Sequence, residues 1–213
     1  MNFLRFSVFI SLGFSLLLLA LQVRHARSFG KRRLFSSPAG NSRKGAIYAF
    51  GRGMLPWEKE SAARHLPTYI AGMAYHAGIF AAIFFVLALA ARVRLPEATV
   101  HLLRILMAAG FLAGTGLLLK RAVHPRMRHI SCPDDFGANL LVDVFLLTGI
   151  LASWRAAVLP VFFIVAAATF LYMPLSKIRH CFFFFYSRLV FGSYFGRRGV
   201  LPPAGGSKSR AGS

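Results

Sequence analysis

The sequence predicts an all-α integral membrane protein, a bundle of about five transmembrane helices with its N-terminus outside and its C-terminus cytoplasmic. Three observations carry this. Apolar residues make up 56% of the 213-residue chain and are blocked into long runs, several of them near the ~20 residues that a helix needs to cross the hydrocarbon core. The 26 Lys and Arg, against only six acids, gather in the segments between those runs. Very few ionisable side chains fall inside the runs, where a central charge costs about 2.5–3.5 kcal/mol on insertion scales.

Five blocks follow in order: Leu4–Val23, Leu66–Ala91, Val100–Leu119, Gly137–Trp154 and Ala156–Phe185. The first has the length and apolar core of a signal peptide, but the charges flank it on the wrong side. Only Arg5 precedes it, whereas Arg24, Arg27, Lys31, Arg32 and Arg33 follow, so it reads as a first helix that is retained. The fifth block contains Pro160 and Pro174 and continues through Phe182–Phe185. The organisation is thus a first transmembrane helix over 1–23, a basic cytoplasmic linker over 24–63 and a four-helix membrane domain over 64–199. A disordered tail over 200–213 completes it.

Counting Lys and Arg on alternate sides of five spans orients the chain. With the N-terminus outside, 21 lie on the inner side and five on the outer: Arg5, Arg92, Arg94, Arg104 and Arg155. Cytoplasmic loops carry such an excess, so the expected location is the inner (plasma) membrane, multi-pass. A formal charge of +20 suggests nucleic acid at first sight, but its division among membrane-flanking loops argues against that partner and for the lipid bilayer.

The chemistry falls to histidine. Cys132 and Cys181 form no CxxC pair, which excludes a thioredoxin-like motif and covalent c-type haem. His76 lies ten residues into the second span, in Tyr75-His76-Ala77-Gly78, with no charged neighbour within a turn. It reads either as a structural histidine bonded to a neighbouring helix or as a haem ligand, with Gly72 and Gly78 small enough for a flat macrocycle to approach. His180 lies near the inner end of the fifth block beside Lys177 and Arg179, which either form an interfacial basic cluster or meet haem propionates. Two histidines on different helices can hold one iron from both faces, and both belong to the inner half of the bilayer on this topology.

Other polar residues lie at or inside the edges of the spans. His25, His124 and His129 read as loop residues. His65, at the inner edge of the second span, could hydrogen-bond a ligand or serve as an alternative ligand itself, and His101 with Arg104 one turn later could meet a quinone oxygen or anchor the interface. Asp143, seven residues into the fourth span, is the only acid well inside a predicted helix. It reads as a hydrogen-bonding structural partner, with proton transfer the alternative.

These features together resemble the gamma subunit of respiratory nitrate reductase and its relatives, the membrane cytochrome b subunits of heterodisulfide reductase and of the dissimilatory sulfite reductase electron-transfer complex. The resemblance covers about residues 64–199. It rests on Tyr75-His76-Ala77-Gly78-Ile79, on Pro125-Arg126-Met127-Arg128-His129-Ile130-Ser131 followed by Asp134-Asp135, and on Pro174-Leu175-Ser176-Lys177-Ile178-Arg179-His180. It implies five spans with the N-terminus outside, and haem b held between helices two and five by His76 and His180. The places of the family's second pair of ligands hold Val86 and Phe162, neither of which ligates iron, so the resemblance implies one haem.

The expected function is that of a haem b subunit without a terminal active site of its own. It would exchange electrons between the quinone pool and a cytoplasmic iron–sulfur subunit of a larger oxidoreductase. The alternative is a non-redox membrane protein, a transporter component or assembly factor, in which the histidines are structural. No internal repeat and no GxSxG accompany the pattern.

Overall fold

The apolar blocks form helices. The computed structural model describes residues 1–29, 36–58 and 63–202, and no strand occurs among them. The helices are α1 (Asn2–Ser28), α2 (Ser42–Phe50), α3 (Leu66–Ala90), α4 (Glu97–Val123), α5 (Pro125–His129), α6 (Pro133–Ala152), α7 (Leu159–Tyr172) and α8 (His180–Arg197). Lys31, Arg32, Arg33 and Lys59 of the basic segment, and residues 203–213 of the expected disordered tail, lie outside the described residues.

Helices α1, α3, α4 and α6 are each long and apolar enough to cross a membrane. The fifth block departs from expectation, because its helix stops at Tyr172 and restarts at His180 after a 3-10 turn over Lys177–Arg179. Counted as one broken span, the pair brings the total to five. Alone, the 14 residues of α7 reach about 21 Å, short of a hydrocarbon core of about 30 Å. The stop falls just before Pro174, which has no N–H to donate and disfavours helical geometry in the residue before it.

The chain divides into two compact units. One comprises Met1–Gln22 with Pro67–Arg179, the other Val23–Leu66 with His180–Ser213. In the first, the core is aromatic. Phe85, Val86, Phe145, Phe162, Phe163 and Phe170 are all at most 3% exposed, and the Phe162 ring stacks on Phe145 at 5.5 Å and lies 5.9 Å from Phe85. Such ring pairs add about 0.5–1.5 kcal/mol each beyond their area. The outside of the same helices is apolar as well, with Ile10, Ile105 and Leu112 between 66% and 71% exposed. A helix that is apolar all round is one whose solvent is lipid.

Gly78 and Gly110 set the approach of α3 to α4. A methyl group on Gly78 would stand 2.8 Å from Gly110 Cα, so the two backbones touch. The start of α6 is capped by Asp135, whose carboxylate accepts from the Cys132 N–H at 2.9 Å, and Asp134 and Asp135 both sit where the helix dipole favours negative charge.

The second unit holds structure in the segment expected to be a linker. Asn41 Oδ1 caps α2 by accepting from the amides of Arg43 and Lys44 at 2.9 and 3.1 Å. Helix α2 lies along α8 at a glycine seam: Gly45 abuts Gly192 and Gly196, and a methyl on Gly192 would stand 2.7 Å from Ala46 Cα. At the end of α8 the Arg197 carbonyl accepts from the amides of Ala39 and Gly40, at 3.0 and 2.9 Å. Phe50 stacks on Phe185, ring centres 6.3 Å apart.

Candidate functional site

Helix α3 presents Tyr75 and His76 on different faces, since adjacent residues lie about 100° apart around a helix. His76 is exposed, and its Nδ1 lies 2.7 Å from the carbonyl oxygen of Gly72, one turn earlier. In the tautomer that donates this bond, the ring is oriented and the lone pair sits on Nε2. Gly72 leaves the adjacent surface open, since nothing stands within 4 Å of where its Cβ would be. Gly78 does not share that role, because Gly110 fills its space. The helix surface beside the oriented imidazole thus carries no side chain at this step.

Tyr75 turns inward to a polar cluster. Its hydroxyl donates to the Asn139 carbonyl at 3.2 Å, while Asn139 Nδ2 faces Tyr75 Oη at 3.2 Å, the Gly114 carbonyl at 3.3 Å and Asp143 Oδ2 at 3.1 Å. Asp143 is 4% exposed, and its Oδ1 is buried without a hydrogen-bond donor among the described residues. It lies against Gly114, where any Cβ would collide with Oδ1 and with the Tyr75 ring. Among the described residues, Asp143 is therefore faced by the Tyr75 hydroxyl and the Asn139 amide and not by a cation. The one-turn spacing from Asn139 to Asp143 is a signal that the sequence carries; the inward turn of Tyr75 and the need for glycine at 114 come only from packing.

His180 is exposed and opens α8, in the second unit, whereas His76 belongs to the first. Arg179 is exposed. Lys177 is committed within the first unit: its Nζ pairs with Asp135 Oδ2 at 2.6 Å and its amide donates to Asp134 Oδ2 at 2.8 Å. Arg121 approaches the other oxygen of Asp135 at 3.5 Å, and the Tyr172 hydroxyl donates to Asp134. These contacts clamp the chain break after α7 onto the start of α6, so a propionate at Lys177 would compete with a formed ion pair.

Arg104 and His101 are also engaged. Arg104 donates from Nε to Ser153 Oγ at 2.9 Å and from Nη2 to the Ser153 carbonyl at 3.0 Å, and lies over the Trp154 ring at 4.9 Å. It thereby caps the C-terminal end of α6, where cations are favoured. His101 bridges Arg104 Nη1 at 3.3 Å and Glu97 Oε1 at 3.4 Å. His65 is exposed at the end of the basic segment, and His25, His124 and His129 are exposed as well.

Among the described residues no three His, Cys, Asp or Glu side chains converge as a metal site. Compared with known proteins, the chain matches no family model, no curated protein and no solved structure.

Proposed function

We propose that the chain is a haem b membrane subunit exchanging electrons between the quinone pool and a cytoplasmic iron–sulfur partner. The observation that carries this is His76. It is an exposed imidazole on an apolar span, oriented by the Gly72 carbonyl, with an open step of helix beside it. A histidine that ligates a metal donates its other ring N–H to a carbonyl or carboxylate in this way.

His76 and His180 would hold the haem iron. Arg179 is the cation best placed in the sequence to meet a propionate, given the pairing of Lys177 with Asp135. When bound, haem b supplies reversible one-electron chemistry to a protein that supplies ligands, orientation and electrostatics. A single haem is favoured because Val86 and Phe162, at the places of a second ligand pair, are both 0% exposed and close-packed in the aromatic core.

The excess of Lys and Arg on one set of loops supports an N-terminus outside and a cytoplasmic C-terminus in the plasma membrane. Arg126 and Arg128, both exposed, would then face the cytoplasm and suit an acidic docking partner. Quinone would meet the protein within the bilayer, with His65 or the His101–Arg104 pair as polar groups near the interfaces.

The test is a dithionite-reduced minus oxidised spectrum of detergent-purified protein from haem-replete cells, with haem counted per chain. One b-type haem, lost in both His76→Ala and His180→Ala, is the expected result. A colourless wild type would sink the proposal and favour the second reading, a non-redox transport component. Its supporting observation is the buried Tyr75–Asn139–Asp143 cluster, since ionisable residues inside spans mark ion and proton pathways.

A further inference from the structure

Where α1 begins and α3 ends, the first unit carries a cavity of about 220 Å³ lined by Asn2, Arg5, Phe6, Phe9 and Arg92 among others. No lining residue is acidic. Arg5 Nε is buried and makes no hydrogen bond among the described residues. Arg92 adds an independent sign. It occupies the left-handed position that ends α3, with φ of 60°, while the Val93 amide closes onto the Ala88 carbonyl at 2.9 Å. That position favours glycine, and the Cβ of an arginine there crowds its own backbone. Its guanidinium turns to Asn2, donating from Nη2 to Oδ1 at 2.6 Å. A strained backbone that delivers a cation to a cavity already holding another points to a bound anion.

Phe6 also lines a second hollow, of about 300 Å³, which runs between α1 and α7 past Ile10, Ala167 and Leu171. An anion-accepting head joined to an apolar groove on the outside of a membrane bundle matches one ligand class. We propose that this is a binding site for an anionic phospholipid, its phosphate between Arg5 and Arg92 and an acyl chain along the α1–α7 groove. Guanidinium groups suit phosphate oxygens by paired N–H donation, and the ring of Phe6 forms the boundary between the polar and apolar halves.

The site needs neither haem nor partner, so it is tested on the full chain in detergent by native mass spectrometry and thermal unfolding. The probes are phosphatidylglycerol, phosphatidylcholine and inorganic phosphate. Phosphatidylglycerol should be retained and should raise the unfolding midpoint, with phosphatidylcholine weaker and inorganic phosphate without effect. Arg5→Gln and Arg92→Gly should each weaken phosphatidylglycerol about fivefold to tenfold. Arg92→Gly removes the strain with the charge, so lipid-free it should melt no lower than wild type, which separates lost binding from lost folding. Ile10→Trp should weaken the lipid while leaving both charges in place. Unchanged retention in the Arg5→Gln, Arg92→Gly double variant would overturn the site. Equal retention of phosphatidylcholine, or a midpoint shift reproduced by inorganic phosphate alone, would overturn the anionic lipid as its ligand.

Discussion

Gly78 and Gly110 press backbone to backbone where α3 crosses α4, leaving no room for a methyl group on either. Two residues before this crossing stands His76, so the crossing fixes the height and rotation of the candidate ligand. Gly78→Ala and Gly110→Ala should each destabilise the bundle by about 1–3 kcal/mol, the cost of overpacking. Gly72 makes the contrast. With open space at its Cβ, Gly72→Ala should be neutral or stabilising by about 0.5–1 kcal/mol, as for a glycine in a helix interior. Denaturant unfolding in mild detergent, followed by circular dichroism, reads all three. Gly72→Leu should keep the fold yet lower haem occupancy, and full occupancy would remove the macrocycle from that face.

Gly114 and Asp143 meet in the same way at the polar cluster. Gly114→Ala should destabilise by about 1–3 kcal/mol, because its Cβ collides with a buried carboxylate and an aromatic ring at once. Asp143→Asn keeps the shape and a hydrogen bond to Asn139 without the charge, and should be as stable as wild type or more so. Asp143→Leu should be worse than Asp143→Asn, since it removes the carboxylate that faces the Asn139 amide and sets a branched apolar side chain against Gly114 and the Tyr75 ring. An Asp143→Asn variant that unfolds readily would mean that the charge itself is held by a group outside this cluster.

The unbroken spans are legible because composition alone specifies them: a run of about 20 apolar residues has few alternatives to a membrane helix. The break after Tyr172 is not. Pro174 is visible as a residue type, yet proline is tolerated inside membrane helices when neighbours satisfy the freed backbone groups. What decides here comes from far along the chain: Gln22 Nε2 donates to the Pro174 carbonyl at 2.8 Å, and Asp134 accepts from the Lys177 amide. Helix α2 is hidden for a related reason. It is nine residues long and has no long apolar run, below the length at which an isolated helix holds, and it persists through the glycine seam with α8. Of the candidate site, His76 and Asp143 stand out because ionisable groups are rare in apolar runs; the commitment of Lys177 and Arg104 to Asp135 and Ser153 is tertiary.

Asp135 does two things at once, capping α6 and pairing with Lys177, and the two contributions separate by mutation. Asp135→Ala should cost about 1–2 kcal/mol, most of it from the cap. Lys177→Ala should cost less than Asp135→Ala, because its side chain is 53% exposed and the pair is screened by solvent. A double-mutant cycle measured by thermal unfolding should return little coupling between the two. A larger value would show that the pair is shielded from water by lipid or a partner.

Glu58 ties the turns that follow α2 back onto that helix. Its Oε1 accepts from Arg52 Nε at 2.7 Å, and its Oε2 accepts from the Tyr48 hydroxyl at 2.9 Å. The Arg52 guanidinium, and then the Tyr48 hydroxyl, hold the Glu58 carboxyl below its ordinary value. An unfolded glutamate titrates near about 4.3, so the stabilisation is fully present above that pH and is lost as the pH falls through the lower folded value. The segment from α2 to Glu58 should therefore loosen on acidification below about pH 4, while a Glu58→Gln variant should already be looser at about pH 7 and change little on acidification. Amide exchange by mass spectrometry over residues 42–58, compared between about pH 7 and about pH 3 and corrected for the intrinsic pH dependence of exchange, reads this directly. Equal acid sensitivity in wild type and Glu58→Gln would remove Glu58 from the transition and leave its two hydrogen bonds without a measurable share in holding the segment.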